Sequence, residues 1–209
     1  MPNNKKIIIN VGRQLGAGGH DIGRLLAQEF EAKYYDRELL DLAARESGFS
    51  AEFFAQNDER KGFLKSLFHL HAPYVGDSNF YTNDFSQEGL FKFQSDAIIK
   101  AAEEGSCVFV GRCADYVLRD FKDVVNVFIS ASMDFRIGQI MARQTHLSRE
   151  EVRRLIEQGE ARRAEYYNYY TGKKWGYASS YDLCIDSSLL GLQPTAEIIA
   201  EFVRKKMER

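Results

Sequence analysis

Three glycines within four residues, Gly16, Gly18 and Gly19, stand directly after a short apolar run, Ile7–Val11, and at the head of a helical pattern that begins near His20. A chain that turns from a strand into a helix leaves backbone N–H groups without intrahelical partners at the helix N-terminus, and an anion can accept from them. Glycines keep β-carbons out of the path of phosphate oxygens. Gly16, Ala17, Gly18, Gly19, His20 and Asp21 are therefore candidates for holding the phosphates of a phosphoryl donor. The usual phosphate loop, G-x-x-x-x-G-K-[ST], ends on a lysine and a hydroxyl. Here Gly19 and His20 occupy those places, so the cation has to come from elsewhere. Arg13 lies in the same loop and can bind phosphate oxygens in pairs, although its position equally allows it to face solvent. With no hydroxyl at position 20, Asp21 or a water is left to meet a Mg²⁺ ion.

The elements that must position these residues alternate along the chain. Ile7–Val11 reads as a strand and His20–Phe30 as an amphipathic helix with Ile22, Leu25, Leu26 and Phe30 on one face. Tyr34-Tyr35 ends a second strand, and Asp36 caps a helix expected to run through Ala44. Residues 48–92 are irregular and rich in aromatics. A helix over Gln87–Glu104 then leads into a strand at Cys107–Val110, and a further strand spans Val124–Ile129. Helices follow at Met133–Arg143 and from the capping box Ser148-Arg149-Glu150-Glu151 to about Tyr167. A last strand, Leu183–Ile185, precedes a helix from Pro194 onward. Strands separated by helices imply a parallel sheet covered on both faces, with ligands at the carboxyl ends of the strands.

Bulk properties set outer bounds. The 209 residues suffice for one α/β domain with an insertion. A net charge of −2 gives no general reason to expect nucleic acid as a partner. The N-terminal apolar run is too short for a signal-peptide core or a membrane span, so a cytoplasmic protein is expected. Cys107, Cys113 and Cys184 lack metal-ligand spacing, and Cys107 and Cys184 read as buried thiols in a reducing compartment. His20, His69, His71 and His146 form no metal-binding pattern, so no metal site is expected from protein ligands alone.

Several stretches then line up in order with a known family. Gly16-Ala17-Gly18-Gly19 with Ile22, Tyr34-Tyr35-Asp36, Val110-Gly111-Arg112-Cys113-Ala114-Asp115 and Val127–Ser132 with Arg136 come first. Glu160-x-x-Arg163, Tyr166-Tyr167, Trp175-Gly176 and Tyr181-Asp182 follow. Together these resemble the cytidylate kinase-like members of the P-loop nucleoside monophosphate kinases. The resemblance implies a three-layer α/β P-loop kinase fold with sheet order 2-3-1-4-5, in one domain over residues 1–209. It also implies an acceptor-binding insertion at 48–92 and a lid at 144–178.

The resemblance implies roles as well. Arg112 matches a Gly-Arg-Asp segment that binds the acceptor nucleotide, and a guanidinium suits its phosphate. Cys113-Ala114 departs from that segment, leaving Asp115 as a poorer counterpart of its carboxylate. Asp36 would be an acceptor-site carboxylate as well as a helix cap. Arg163 fits the lid pattern, with Arg136 and, less well, Arg162 beside it. Arginines arriving there stabilise charge spread over the transferring phosphoryl group. Against this, Arg153, Arg154, Arg162 and Arg163 share one highly charged helix, where most charges are simply solvated. Tyr166, Tyr167, Tyr169, Tyr170 and Trp175 read first as packing for that helix and secondly as a base-stacking surface near Lys173 and Lys174.

The expected activity is transfer of the γ-phosphoryl of ATP, with Mg²⁺, to a small acceptor such as CMP. Two other readings stay open: a nucleotide-binding regulator of weak or no turnover, and a kinase of a non-nucleotide metabolite. The aromatics of 48–92 could serve an acceptor site or a contact between copies of the chain.

Overall fold

A computed structural model describes residues 6–36 and 84–208, the side chains of 84–87 excepted. The expected helix after Asp36, residues 48–83 of the insertion, and His69 and His71 lie outside the described residues. Within them the chain runs β1 (Ile8–Arg13), α1 (Gly19–Glu29), β2 (Lys33–Tyr35), α2 (Asp84–Glu104), β3 (Cys107–Val110) and α3 (Ala114–Val117). It continues through β4 (Val124–Ser130), α4 (Met133–Met141), α5 (Arg149–Thr171), β5 (Leu183–Asp186) and α6 (Leu192–Met207).

Period-two alternation divides the side chains of β1 between two helical layers. Ile9 and Val11 pack with Ile22 and Leu26 of α1 and with Ile199 and Val203 of α6. Ile8 faces the other way, onto Ile98 and Ala102 of α2 and Leu118 after α3. The parallel register carries this division across the sheet: Ile8 pairs with Cys107 and Val124, and Ile9 with Val108 and Val125. The five strands are parallel in the order β2-β3-β1-β4-β5, the order the resemblance implies. β1 is thus central and buried on both faces, which is why its sequence is apolar on both sides of Asn10, whose side chain donates to Asn126 Oδ1 at 2.8 Å. Gly23 lets α1 lie close on β3, since a β-carbon there would stand 2.8 Å from Val110 Cγ2.

Element ends differ from the sequence reading where tertiary contacts decide them. The Ser148–Glu151 capping box forms as expected. α5, however, continues one turn past Tyr167 to Thr171 and stops at Gly172, whose φ is +67°. In that extra turn Tyr170 stacks on Phe91 of α2, with ring centroids 4.0 Å apart, so packing extends the helix where propensity does not. α6 begins two residues before Pro194, which falls in the first turn, where a missing N–H breaks no helical bond. Cys107 is buried as expected, but Cys184 is exposed because β5 is an edge strand. Among the described residues, no helix is long and apolar enough to cross a membrane.

Candidate active site

Residues 14–18 link β1 to α1 and are held from several sides. Gln14 N donates to Ile129 O at 2.9 Å, and Gln14 Oε1 accepts from Ala131 N at 3.1 Å. Fully buried Ser187, just past β5, donates its hydroxyl to Ala17 O at 2.8 Å. Gly16 has φ +83°, and a β-carbon there would lie 2.8 Å from the backbone oxygen of Arg136. Glycine is therefore required at position 16 both by conformation and by the approach of α4. Gly18 caps α1 in the left-handed conformation and offers no side chain to the helix end. The N–H groups of Gly19, His20 and Asp21 are thus the donors that a helix start leaves over.

Arginines from three elements gather around this loop. Arg13, the last residue of β1, lays its side chain along Gly19 and its guanidinium against Gly111. Arg163 of α5 donates from Nη1 to Arg13 O at 3.3 Å. Arg136 of α4 is buried beneath Gly16 and ion-paired to Glu160 of α5. α5 also meets the loop through Gly159, where a β-carbon would come within 2.9 Å of Leu15 Cδ2. The charged helix is therefore not simply solvated: one stripe of it, Gly159, Glu160 and Arg163, faces the glycine loop. The half-buried Arg162 lies beside that stripe.

His20 stands where this loop meets the end of β2. Its Nδ1 lies 3.0 Å from Tyr34 Oη and 3.8 Å from Asp36 Oδ2. Burial, and secondly the positive charge of Arg13, lower its pKa from 6.5 to about 4, so the ring is neutral at pH 7. Burial raises the Tyr34 hydroxyl to about 12, with Asp36 adding to the shift. A histidine depressed on folding binds more protons when unfolded, so folding stability is complete above its unfolded pKa and is lost as pH falls. Chemical denaturation should therefore show stability declining from about pH 6.5 toward pH 4. His20→Gln should flatten that part of the profile.

The loop after β3 forms the other wall. Gly111, Arg112 and Cys113 have φ of +85°, +59° and +55° in succession. Two non-glycine residues in this region cost about 1–2 kcal/mol each, and such strain collects at functional turns. Arg112 sits over the Tyr166 ring, 5.6 Å from its centroid. Tyr166 in turn donates weakly to Gln94 Oε1 at 3.4 Å. Asp115 is buried and accepts a 2.6 Å hydrogen bond from Tyr167 Oη, tying this loop to α5. Burial raises the Asp115 carboxyl and holds the Cys113 thiol up at about 12, so Cys113 is no nucleophile. The bond between Asp115 and Tyr167 and the placement of Gln94 have no signal in the sequence, because their partners are remote along it.

Asp36 is buried at the end of β2, on the same sheet edge as the glycine loop and Arg112. The aromatic cluster packs, as its first reading had it: Trp175 and Tyr181 enclose Phe128 of β4, and only Tyr169 of the α5 tyrosines is largely exposed. Asp21, the carboxylate beside the missing hydroxyl, is paired with Arg143. Among the described residues no three His, Cys, Asp or Glu side chains could hold a metal ion together.

Comparison with known proteins places the chain among relatives of the same fold. The model of the cytidylate kinase-like family matches residues 8–189. A protein of Methanosarcina acetivorans named cytidylate kinase is 25% identical over 193 residues, covering 91% of this chain and 93% of that one. An uncharacterized protein from Eubacterium ventriosum superposes with a TM-score of 0.73 at 24% identity, over 95% of this chain and 99% of the other. Shikimate kinase from Bacteroides thetaiotaomicron superposes at 0.53 with 14% identity, covering 96% and 99% of the two chains. The structural likenesses establish a shared fold, and the family match covers most of the sequence. The chain belongs to the cytidylate kinase-like family of phosphotransferases.

Proposed function

We propose that the protein transfers the γ-phosphoryl group of ATP to a nucleoside monophosphate, with CMP the first candidate. The observation that carries this reading is the gathering of Arg13, Arg136 and Arg163, from three separate elements, around one glycine loop. Phosphoryl transfer requires mainly positioning and positive charge where the equatorial oxygens develop theirs. In this reading the N–H groups of Gly19, His20 and Asp21 and the side chain of Arg13 hold the donor. Gly16, Ala17 and Gly18 shape the loop so that the phosphates can approach it. Mg²⁺ arrives with the nucleotide and offsets its charge. Arg112 binds the acceptor phosphate and Asp36 another polar group of the acceptor. Asp115 acts behind them, through Tyr167, to keep the acceptor wall against α5. Residues 144–178 form the lid, and residues 48–92 the acceptor-binding insertion.

The test is ADP formation from Mg·ATP by the purified protein across a panel of nucleoside monophosphates. Turnover that depends on one of them supports the reading and names the acceptor. Arg112→Ala should then raise the KM for that acceptor by about 10–100-fold while leaving the KM for ATP nearly unchanged, as expected for a lost bidentate phosphate contact. ADP release only with a non-nucleotide metabolite would move the acceptor outside the nucleotides. ATP binding with no acceptor-dependent turnover would favour the regulator.

A further inference from the structure

The glycine loop lacks a lysine at position 19, and the structure shows why one cannot simply be added. A β-carbon on Gly19 would lie 2.5 Å from Cγ and 2.7 Å from Cβ of Arg13. Both distances are well inside van der Waals contact, so a side chain at 13 and a side chain at 19 exclude each other. With Gly19 in the lysine place, the motif G-x-x-x-x-G-K-[ST] puts its first glycine at position 13. The standard loop therefore carries glycine at 13 and the cation at 19, whereas this chain carries the cation at 13 and glycine at 19.

We propose that these two substitutions are one exchange: Arg13 delivers from the end of β1 the charge that a P-loop lysine delivers from the start of α1, through the space that Gly19 leaves open. The claim rests on the kinase reading above and specifies how its donor site works. The second half of the geometry agrees with it. The Arg13 guanidinium extends past Gly19 until Nη1 lies 2.2 Å from where a β-carbon on Gly111 would stand. Its charge is thus presented between the helix start, where the donor phosphates would sit, and the Gly111-Arg112 turn that forms the acceptor wall. A guanidinium there offers a planar fork that can hold two phosphate oxygens through parallel hydrogen bonds, where an ammonium at position 19 would act as a compact point charge. It also places Gly111 under the same requirement as Gly19, since a side chain at either would push Arg13 aside.

The exchange predicts compensation. In the full-length chain, Arg13→Gly should weaken Mg·ATP binding at least tenfold by removing the cation. Gly19→Lys alone should do the same and lower the melting temperature, because its side chain collides with Arg13. The double variant R13G/G19K, which restores the standard pattern at both positions, should recover Mg·ATP affinity to within about threefold of the wild type, as coupled positions depart from additivity. It should also recover the melting temperature lost by Gly19→Lys. If Gly19→Lys does not fold, Gly19→Ala serves: its methyl should weaken binding when Arg13 is present and cost nothing after Arg13→Gly. Losses that simply add in the double variant, or wild-type affinity in Arg13→Gly, would overturn the exchange, while acceptor-dependent turnover by the wild type would still support the kinase reading. A wild-type chain that binds no Mg·ATP would overturn the kinase reading and the exchange together.

Discussion

Arg163→Ala should lower kcat by about 10³-fold, the lower end of the range for arginines that reach a transferring phosphoryl group, while changing the KM for ATP only a few-fold. Arg163 comes from α5 and donates to the carbonyl of Arg13, so its guanidinium lies at the mouth of the glycine loop. Its charge also helps to keep His20 neutral, which is a second sign that it faces the same space. A group that contacts the phosphoryl oxygens mostly in the transition state lowers kcat and kcat/KM together when it is removed. A group that only props the loop through the Arg13 carbonyl would instead weaken ATP binding and leave kcat largely alone. Steady-state kinetics with saturating acceptor separate the two. Arg163→Lys sharpens the comparison, since an ammonium keeps the charge but loses the planar fork. It should recover part of kcat, whereas wild-type kcat in Arg163→Ala would remove Arg163 from the mechanism.

Arg136→Ala should cost about 3 kcal/mol of folding stability, because it leaves Glu160 largely buried without its ion-pair partner. For a chain of this size that corresponds to a fall in Tm of about 6–12 °C. The pair joins α4 to α5, and the backbone of Arg136 also supports Gly16, so the loss should spread to the glycine loop. Replacing both partners, R136M/E160L, should recover most of the stability, since well-packed apolar residues can take the place of a buried ion pair. If Arg136 also serves phosphoryl transfer, the double variant will be stable and still slow. Thermal melts read the first effect and initial rates the second. A stable double variant with wild-type kcat would assign Arg136 to structure alone.

The glycine loop shows how far residue order carries the argument. Strand, turn and helix are local, and their apolar spacing and glycines are written in neighbouring residues, so the strand–glycine turn–helix was legible before any contact was known. The alternation of strands and helices likewise implied a parallel sheet with ligands at its carboxyl edge, which is where Arg13, Asp36 and Arg112 lie.

Long-range contacts decided the rest. The Glu160-x-x-Arg163 pattern singled Arg163 out among several arginines on a highly charged helix, and the contact of Gly159 with Leu15, with the Arg136–Glu160 pair, turns its stripe toward the loop. Asp115 read as a candidate acceptor ligand, yet its carboxylate meets a tyrosine 52 residues away. Arg13 could have faced solvent as readily as phosphate. Its direction depends on the space above Gly19 and Gly111, which lie in two different turns that the parallel sheet brings side by side. Residue types and their spacing along the chain determined the class of chemistry and the strand–glycine turn–helix at the head of the sheet. Which cations reach that turn is a matter of packing between distant elements, and such packing leaves no local trace in the sequence.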